Sequence, residues 1–170
     1  MFKKKIAVLI EDHYQDLEVW YPILRFREAG HEVITVEPRQ QKHYVGKWGY
    51  PIDVDFSIDY VSANDFDAVV IPGGWAPDKL RLSEKILKFV KDIYSNGKIV
   101  ASICHGGWVL VSAGICKGKT LTSYIAIKDD LINAGAKFVD QEVVQDGNLI
   151  TSRKPDDLPA FCKTILNSLK

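Results

Sequence analysis

The sequence predicts an α/β fold, a doubly wound and mostly parallel sheet with helices on both faces. Short apolar runs that suit buried strands alternate along the chain with stretches of helical spacing, and this alternation points to that class. The length favours one domain, because 170 residues with 46% hydrophobic side chains suffice for one buried core and are too few for two cores of ordinary size. We therefore expect residues 1–170 to form a single domain.

Glycine and proline residues mark the boundaries of the predicted helices and strands. In chain order these are a strand over Ile6–Ile10, a helix from Asp16 that ends at Ala29-Gly30, strands over His31–Val36 and Asp67–Ile71, a helix over Ser83–Tyr94, a strand over Lys98–Ile103, helices over Trp108–Ala113 and Ser123–Ala134, a hairpin around Asp146-Gly147-Asn148, and a helix over Leu158–Leu169. Pro22 should kink the first helix or mark its first turn. Gln40–Tyr60 alternates between breakers, which predicts a small β-hairpin excursion.

In doubly wound sheets the ligand crevice lies beyond the carboxyl ends of the strands. That rule selects three segments in which functional residues should be sought. They are Glu11–Glu18 after the first strand, Pro72–Asp78 after the third, and Cys104–Gly107 after the fourth.

Composition excludes several functional classes. Basic and acidic side chains number 22 each, so the net charge is zero, which disfavours nucleic-acid binding and polybasic attachment to a membrane. Zero net charge also weakens long-range self-repulsion, which favours a homo-oligomer. The chain has no G-x-G-x-x-G, no phosphate loop and no H-E-x-x-H motif, so we expect neither a cofactor nor a metal.

The cysteines and the amino terminus predict a cytoplasmic protein. Cys104, Cys116 and Cys162 cannot all pair and show no C-x-x-C spacing, which indicates free thiols in a reducing compartment. The apolar run after Lys3–Lys5 stops at Glu11, well short of the core of a signal peptide. No apolar stretch approaches the roughly 20 residues that span a bilayer.

Cys104 is the strongest candidate for a reactive residue. Its position between an apolar strand and a predicted helix suits a sharp nucleophile-bearing turn, and the helix N-terminus should lower the pKa of the thiol. A lone cysteine in a core is otherwise an ordinary small apolar residue. We keep that structural interpretation for Cys116 and Cys162, which follow no strand end.

Residue chemistry suggests two further candidates for the active site, a histidine and a pair of glycines that follow strand ends. His105 suits a general acid or base, or a packing histidine, and adjacency alone does not establish a hydrogen bond to Cys104. Gly73-Gly74 suits an oxyanion hole, because free N–H groups there meet no side chain, although Pro-Gly-Gly is also an ordinary turn.

The motifs resemble those of the PfpI intracellular protease family of the ThiJ/PfpI superfamily. The resemblance covers essentially the whole chain. It rests on a Cys-His-Gly turn combined with an early glutamate, in the segments Asp16-Leu-Glu-Val-Trp-Tyr-Pro22, Gly46-Lys-Trp-Gly-Tyr50, Ile71-Pro-Gly-Gly-Trp-Ala-Pro77, Ala101-Ser-Ile-Cys-His-Gly106 and Thr122-Ser-Tyr124. It implies a flavodoxin-like sandwich related to class I glutamine amidotransferases. It also implies a dimer or hexamer with the active site near a subunit interface.

The resemblance also implies roles for individual residues. Cys104 is the nucleophile, and a protonated Glu18 beside it stabilises the thiolate. His105 is the second catalytic residue, and its acidic partner, Asp78, comes from a neighbouring subunit. The oxyanion hole consists of the N–H groups of Gly74 and His105. Gly73 and Tyr124 belong to the substrate pocket.

Three departures from the family pattern affect these roles. Asp78 stands where the PfpI type commonly has glutamate, and aspartate is one methylene shorter. Gly106-Gly107-Trp108 replaces the Gly-Pro-Gln of many relatives. His13 and Gln15 stand where further carboxylates are common.

Three functions are consistent with this reading. The first is a cofactor-independent glyoxalase or deglycase acting on methylglyoxal or its adducts. The second is peptide hydrolysis at the same Cys104, which the shorter Asp78 disfavours. The third is a non-enzymatic stress-response, redox-sensing or chaperone protein in which Cys104 is oxidised. The expected partners are therefore a small carbonyl compound or a peptide, and further copies of the chain.

Overall fold

The computed structural model describes residues 2–170, in which strands alternate with helices. The strands are β1 (Lys5–Leu9), β2 (Glu32–Glu37), β3 (His43–Val45), β4 (Pro51–Asp53), β5 (Phe56–Ser57), β6 (Ala68–Ile71), β7 (Ile99–Ile103), β8 (Thr120–Leu121), β9 (Lys137–Phe138), β10 (Val143–Asp146) and β11 (Leu149–Ser152). The helices are α1 (Asp16–Glu28), α2 (Ala76–Leu80), α3 (Glu84–Ser95), α4 (Gly107–Ser112), α5 (Lys128–Asn133) and α6 (Leu158–Ser168).

Seven strands form the central sheet in the order β10-β11-β7-β6-β1-β2-β5. Only the β10–β11 pair is antiparallel, and the other neighbours run parallel. α1 and α6 pack together on one face, whereas α3 and α4 pack against β7 on the other. The central strands are buried apolar runs because helices cover both of their faces. The predicted α/β fold with a mostly parallel sheet is confirmed.

The excursion over Gln40–Tyr60 contains the predicted hairpin. β3 and β4 pair antiparallel, with Tyr44 opposite Ile52. The segment then returns to the central sheet through β5, which pairs with β2 at the sheet edge. The hairpin is thus an insertion between two strands of the sheet, and its turn is free to fold over other elements.

The structure corrects two details of the predicted helices. Of the two predicted roles of Pro22, it excludes the first turn, because Pro22 lies inside α1 and the Gln15 side chain caps the helix by accepting the N–H of Glu18. The helix predicted over 123–134 begins later, with a 3₁₀ turn over Ile125–Ile127 followed by α5. The N–H of Tyr124 donates to the carbonyl of Cys104 at 3.2 Å, which holds this segment extended before the helix starts.

The strand order brings the three selected segments to one edge of the sheet. β7, β6 and β1 are consecutive neighbours and run parallel, so their carboxyl ends lie side by side. The Cys104 turn follows β7, Gly73 follows β6, and the segment leading to Glu18 follows β1. The topology alone therefore assembles these residues.

Candidate active site

Cys104 occupies a strained turn at the end of β7. Its φ of 59° lies in the left-handed region that non-glycine residues rarely adopt. A 3₁₀ turn over Cys104–Gly106 follows at once and leads into α4. Such a conformation costs about 1–3 kcal/mol and persists where the surrounding structure imposes it. The sharp turn is as predicted, and the residue is only 8% exposed and lines a cleft.

The Glu18 carboxyl faces the same point from the first turn of α1. It is fully buried, and its Oε2 accepts the N–H of Gly73 at 2.7 Å. A Cβ on Gly73 would lie 2.5 Å from Glu18 Oε2, 2.6 Å from Cys104 Cβ and 3.0 Å from Cys104 Sγ. Glycine is therefore required here, because the carboxyl and the thiol line the space that a side chain would fill.

The carboxyl and the thiol shift each other's protonation. Burial raises the pKa of Glu18 to about 7. Burial, followed by the negative charge of Glu18, raises the pKa of the Cys104 thiol to about 12, so the expected lowering of the thiol pKa is wrong. A proton on Glu18 removes its charge from beside the sulfur. The pair therefore titrates as a unit that loses its first proton near neutral pH.

Hydrogen bonds and one aromatic stack surround the sulfur. The backbone N–H groups of His105 and Gly74 bond to the Cys104 sulfur and act to lower the pKa of the thiol. The Nδ1 atom of His105 lies 3.3 Å from Sγ, and the imidazole stacks on Tyr124 with ring centroids 5.0 Å apart. Burial, followed by the charge of Lys47, lowers the pKa of His105. Both effects favour the neutral imidazole.

Asp78 is not part of this arrangement within one chain. It lies exposed on α2, and across residues 2–170 its carboxylate forms no hydrogen bond or ion pair with His105. No carboxylate of the described chain orients His105 through its second ring nitrogen. The structure thus brings Cys104, Glu18 and His105 together and leaves Asp78 apart.

The cleft above Cys104 has a volume of about 250 Å³. Its lining residues come from six segments of the chain and are Gln15, Glu18, Lys47, Trp48, Gly74, Trp75, Cys104, His105, Tyr124, Lys154 and Pro155. Gly73 lies behind the thiol and is not one of them. Nowhere in residues 2–170 are three or more His, Cys, Asp or Glu side chains placed to hold a metal ion.

A sequence model of the DJ-1/PfpI family matches residues 4–168. This chain belongs to the DJ-1/PfpI family. It is similar to "Protein/nucleic acid deglycase 2" of Escherichia coli K12, with 48% identity over 168 residues that cover 98% of each chain. It is 46% identical over 167 residues to YraA of Bacillus subtilis 168, named a "putative cysteine protease", covering 98% of this chain and 99% of YraA.

The fold of the family is equally evident among solved structures. Drosophila melanogaster DJ-1beta superposes with a TM-score of 0.93 at 30% identity, covering 99% of this chain and 91% of that one. The predicted membership of the ThiJ/PfpI superfamily is thereby confirmed. None of the helices in residues 2–170 of this DJ-1/PfpI protein is long and apolar enough to cross a membrane.

Sequence reasoning assigned no role to Lys47, Trp48, Trp75 or Lys154, which line the cleft of this DJ-1/PfpI protein. Lys47 and Trp48 come from the turn of the β3–β4 hairpin, whose Gly46-Lys-Trp-Gly-Tyr50 motif supported only the family resemblance. The motif was visible in the sequence, but no local sequence pattern predicts that the hairpin folds back over the end of a strand. That contact is set by tertiary structure.

Proposed function

We propose that this chain is a cofactor-independent deglycase that uses Cys104 against methylglyoxal adducts and methylglyoxal itself. The observation that carries the proposal is the buried Cys104–Glu18 pair at a strained turn, beneath a cleft of small-molecule size. The name of the Escherichia coli relative supports it. The three cysteines are free and buried, which fits a reducing, cytoplasmic location.

The chemistry begins with addition of the Cys104 sulfur to the aldehyde carbon. With an amine adduct, the thiol displaces the amine and gives the same hemithioacetal, with release of the free amine. A proton then moves from the former aldehyde carbon to the former ketone carbon, and the hydroxyl proton of the hemithioacetal moves to the former ketone oxygen, which yields a lactoyl thioester. Water hydrolyses the thioester to lactate and regenerates the thiol, so no external oxidant or reductant is needed.

Each proposed role corresponds to a position in the cleft. Glu18 holds the proton that the pair exchanges with the substrate, and His105, whose lowered pKa favours the neutral ring, accepts and returns a second proton. The N–H groups of Gly74 and His105, which bond to the sulfur, are the donors that we assign to the oxygen that develops negative charge. Tyr124 stacks on His105 and forms a wall of the substrate pocket.

Peptide hydrolysis at the same cysteine is the second candidate, favoured by the name of the Bacillus subtilis relative. That reaction requires His105 to protonate a leaving amine, and an acidic partner must then orient the imidazole. Asp78 fills this role only if a second subunit delivers it. The deglycase reaction is preferred because it makes no such demand.

We also propose that the chain forms a homo-oligomer with its active site near the interface. An apolar groove beside the cleft is lined by exposed Leu17, Leu24, Trp48 and Tyr50. Trp48 lines the groove and the cleft alike, so a second copy seated there would lie next to Cys104. Sedimentation of the wild type and of L17E/L24E tests this, because a monomeric wild type would contradict it.

The proposed function is tested with a preformed adduct of methylglyoxal and N-acetyl-lysine. Lactate and free amine should appear together with the wild type, and neither should exceed the buffer rate with C104S of equal thermal stability. Absence of lactate from the wild type would contradict the deglycase assignment. Cleavage of unmodified peptides in its place would favour the peptidase, and oxidation of Cys104 without turnover would favour a sensor.

A further inference from the structure

The turn of the β3–β4 hairpin, residues 46–50, is fastened to the start of α1 by one carboxylate. The two oxygens of Asp16 accept the N–H groups of Trp48 at 2.9 Å and of Tyr50 at 3.0 Å. Asp16 is 9% exposed, so these bonds are shielded from water. A buried charged acceptor makes such bonds stronger than those between neutral groups.

The turn is shaped to accept this carboxylate closely. A Cβ on Gly46 would lie 2.3 Å from Asp16 Oδ1, which is closer than any side-chain carbon tolerates. The N–H of Lys47 donates to the carbonyl of Tyr14 at 2.8 Å, and the Tyr14 hydroxyl donates to the carbonyl of Tyr50. The turn is therefore fixed on the segment that joins β1 to α1.

The fixed turn carries Lys47 into the cleft. Its ammonium lies 5.6 Å from the ring centroid of Trp48 and 5.4 Å from that of Trp75, which approaches from the other side. Throughout residues 2–170 no carboxylate forms an ion pair with Lys47. Burial raises the pKa of Glu18 and lowers that of His105, and the charge of Lys47 opposes the first of these shifts and adds to the second.

We propose that Asp16 is a positioning residue, which holds the hairpin turn on α1 and thereby keeps the Lys47 ammonium in the cleft that the Cys104–Glu18 pair lines. Loss of one proton leaves that pair with one negative charge, whichever atom keeps the remaining proton. A cation in that cleft favours this state. The inference deepens the proposed function, since it concerns the charge state in which Cys104 reacts.

The groups that act on Glu18 and His105 come from several elements. Glu18 accepts the N–H of Gly73, forms a hydrogen bond with the Cys104 thiol and is affected by the charge of Lys47. His105 meets the thiol, Tyr124 and Trp108.

Lys154 is the other cation of the cleft lining, and its ammonium pairs with Asp156 at 3.2 Å. Lys47 is therefore the cation of the cleft that has no competing ion pair among the described residues.

The test measures the rate of Cys104 alkylation by iodoacetamide against pH, read from the Cys104 peptide by mass spectrometry. This readout needs no turnover, so it remains valid if the proposed deglycase activity fails. K47M should move the profile to higher pH by about half a unit, because the singly charged pair loses its cation. K47R should restore the wild-type profile.

D16N should move the profile in the same direction as K47M, because one of its two acceptor oxygens is lost. The decisive comparison is the double variant K47M/D16N. If Asp16 acts through Lys47, the second substitution adds no further shift. D146N is the matched control, since Asp146 also accepts a backbone N–H, from Thr120 at 2.8 Å, but does not line the cleft.

Two results would overturn the proposal. One is an unshifted profile in K47M, which would show that the ammonium does not act on the pair. The other is a D16N shift that persists undiminished in the K47M background. If D16N fails to fold, G46A tests the same point, because its Cβ would displace Asp16 from the turn. The shift of G46A is measured against the wild type, and that of K47M/G46A against K47M. Two shifts of equal size would contradict the proposal.

Discussion

Glu18 and Asp78 occupy corresponding places in the fold and have opposite surroundings. Each lies in the first turn of a helix that follows a central strand, α1 after β1 and α2 after β6. Glu18 is fully buried against the thiol, whereas Asp78 is exposed and has no contact with His105 in its own chain. One chain thus completes the thiol–carboxyl pair and leaves the imidazole without an acid.

Local structure explains the difference. The Gln15 side chain caps α1 by accepting the N–H of Glu18 at 3.1 Å, and Gly73 leaves room for the carboxyl. α2 is one short turn that starts after Trp75 without a side-chain cap. One chain therefore contains what is needed for chemistry in which the imidazole has no acidic partner, whereas peptide hydrolysis would require a carboxylate from a second subunit. The following predictions test this division.

Loss of the thiol should have the largest effect. C104S should lower the rate of lactate formation by on the order of 10³-fold or more, because the hydroxyl is a much poorer nucleophile without a strong base. Steady-state kinetics measure this. C116S is the control, since Cys116 is buried away from the cleft, and equal loss in both variants would contradict a specific role for Cys104.

Loss of the carboxyl should have the next largest effect. E18Q should lower turnover by about 10²-fold, because a positioned proton donor is lost while the shape is kept. Turnover close to that of the wild type would remove Glu18 from the mechanism. The matched control is E142Q, since Glu142 is exposed and lies outside the cleft.

The same variant should change the pH dependence of stability. The pKa of Glu18 is raised from 4.5 to about 7 in the folded protein, so its stabilising contribution is complete below 4.5 and lost as pH rises through 7. That loss is about 3 kcal/mol at most. Urea unfolding of E18Q should therefore show a flatter profile between these pH values, and a slope equal to that of the wild type would contradict the burial argument.

Crowding the pair should have a moderate effect. G73A places a Cβ against both the carboxyl and Cys104, so one of them must move. We expect a loss of about 1–3 kcal/mol in the free energy of unfolding, together with lower turnover. Denaturation and steady-state kinetics measure these effects. If G73A kept the stability and turnover of the wild type, the Glu18 carboxyl and Cys104 would not be closely packed around Gly73.

Changing Asp78 should have the smallest effect on carbonyl chemistry. D78N should leave lactate formation within about twofold of the wild type, as for a surface substitution that the pair does not sense. If a second subunit delivers Asp78 to His105, any peptidase activity should fall, since the imidazole would lose its acid. A large loss of lactate formation would show that both reactions need His105 oriented by a neighbour.

The sequence predicted the parts of the site that depend on strand ends. The apolar run before Cys104 and the turn after it indicate where β7 stops, and the sheet topology then places Cys104, Gly73 and Glu18 together. It did not predict the contacts made by Lys47, which reaches the cleft because the hairpin turn binds Asp16 and the carbonyl of Tyr14. It also gave the wrong direction for the pKa of the thiol, because burial beside Glu18 outweighs the nearby N–H groups.

Infrared spectroscopy can test directly whether the Glu18 carboxyl keeps a proton beside Cys104. Infrared difference spectra of the wild type minus E18Q, recorded from pH 4.5 to 9, would follow the carbonyl stretch of the protonated carboxyl. We expect a band that titrates with a midpoint near pH 7 and that shifts in C104S, where the sulfur is absent. A carboxyl that is already ionised at pH 5 would contradict the pairing of Glu18 with Cys104.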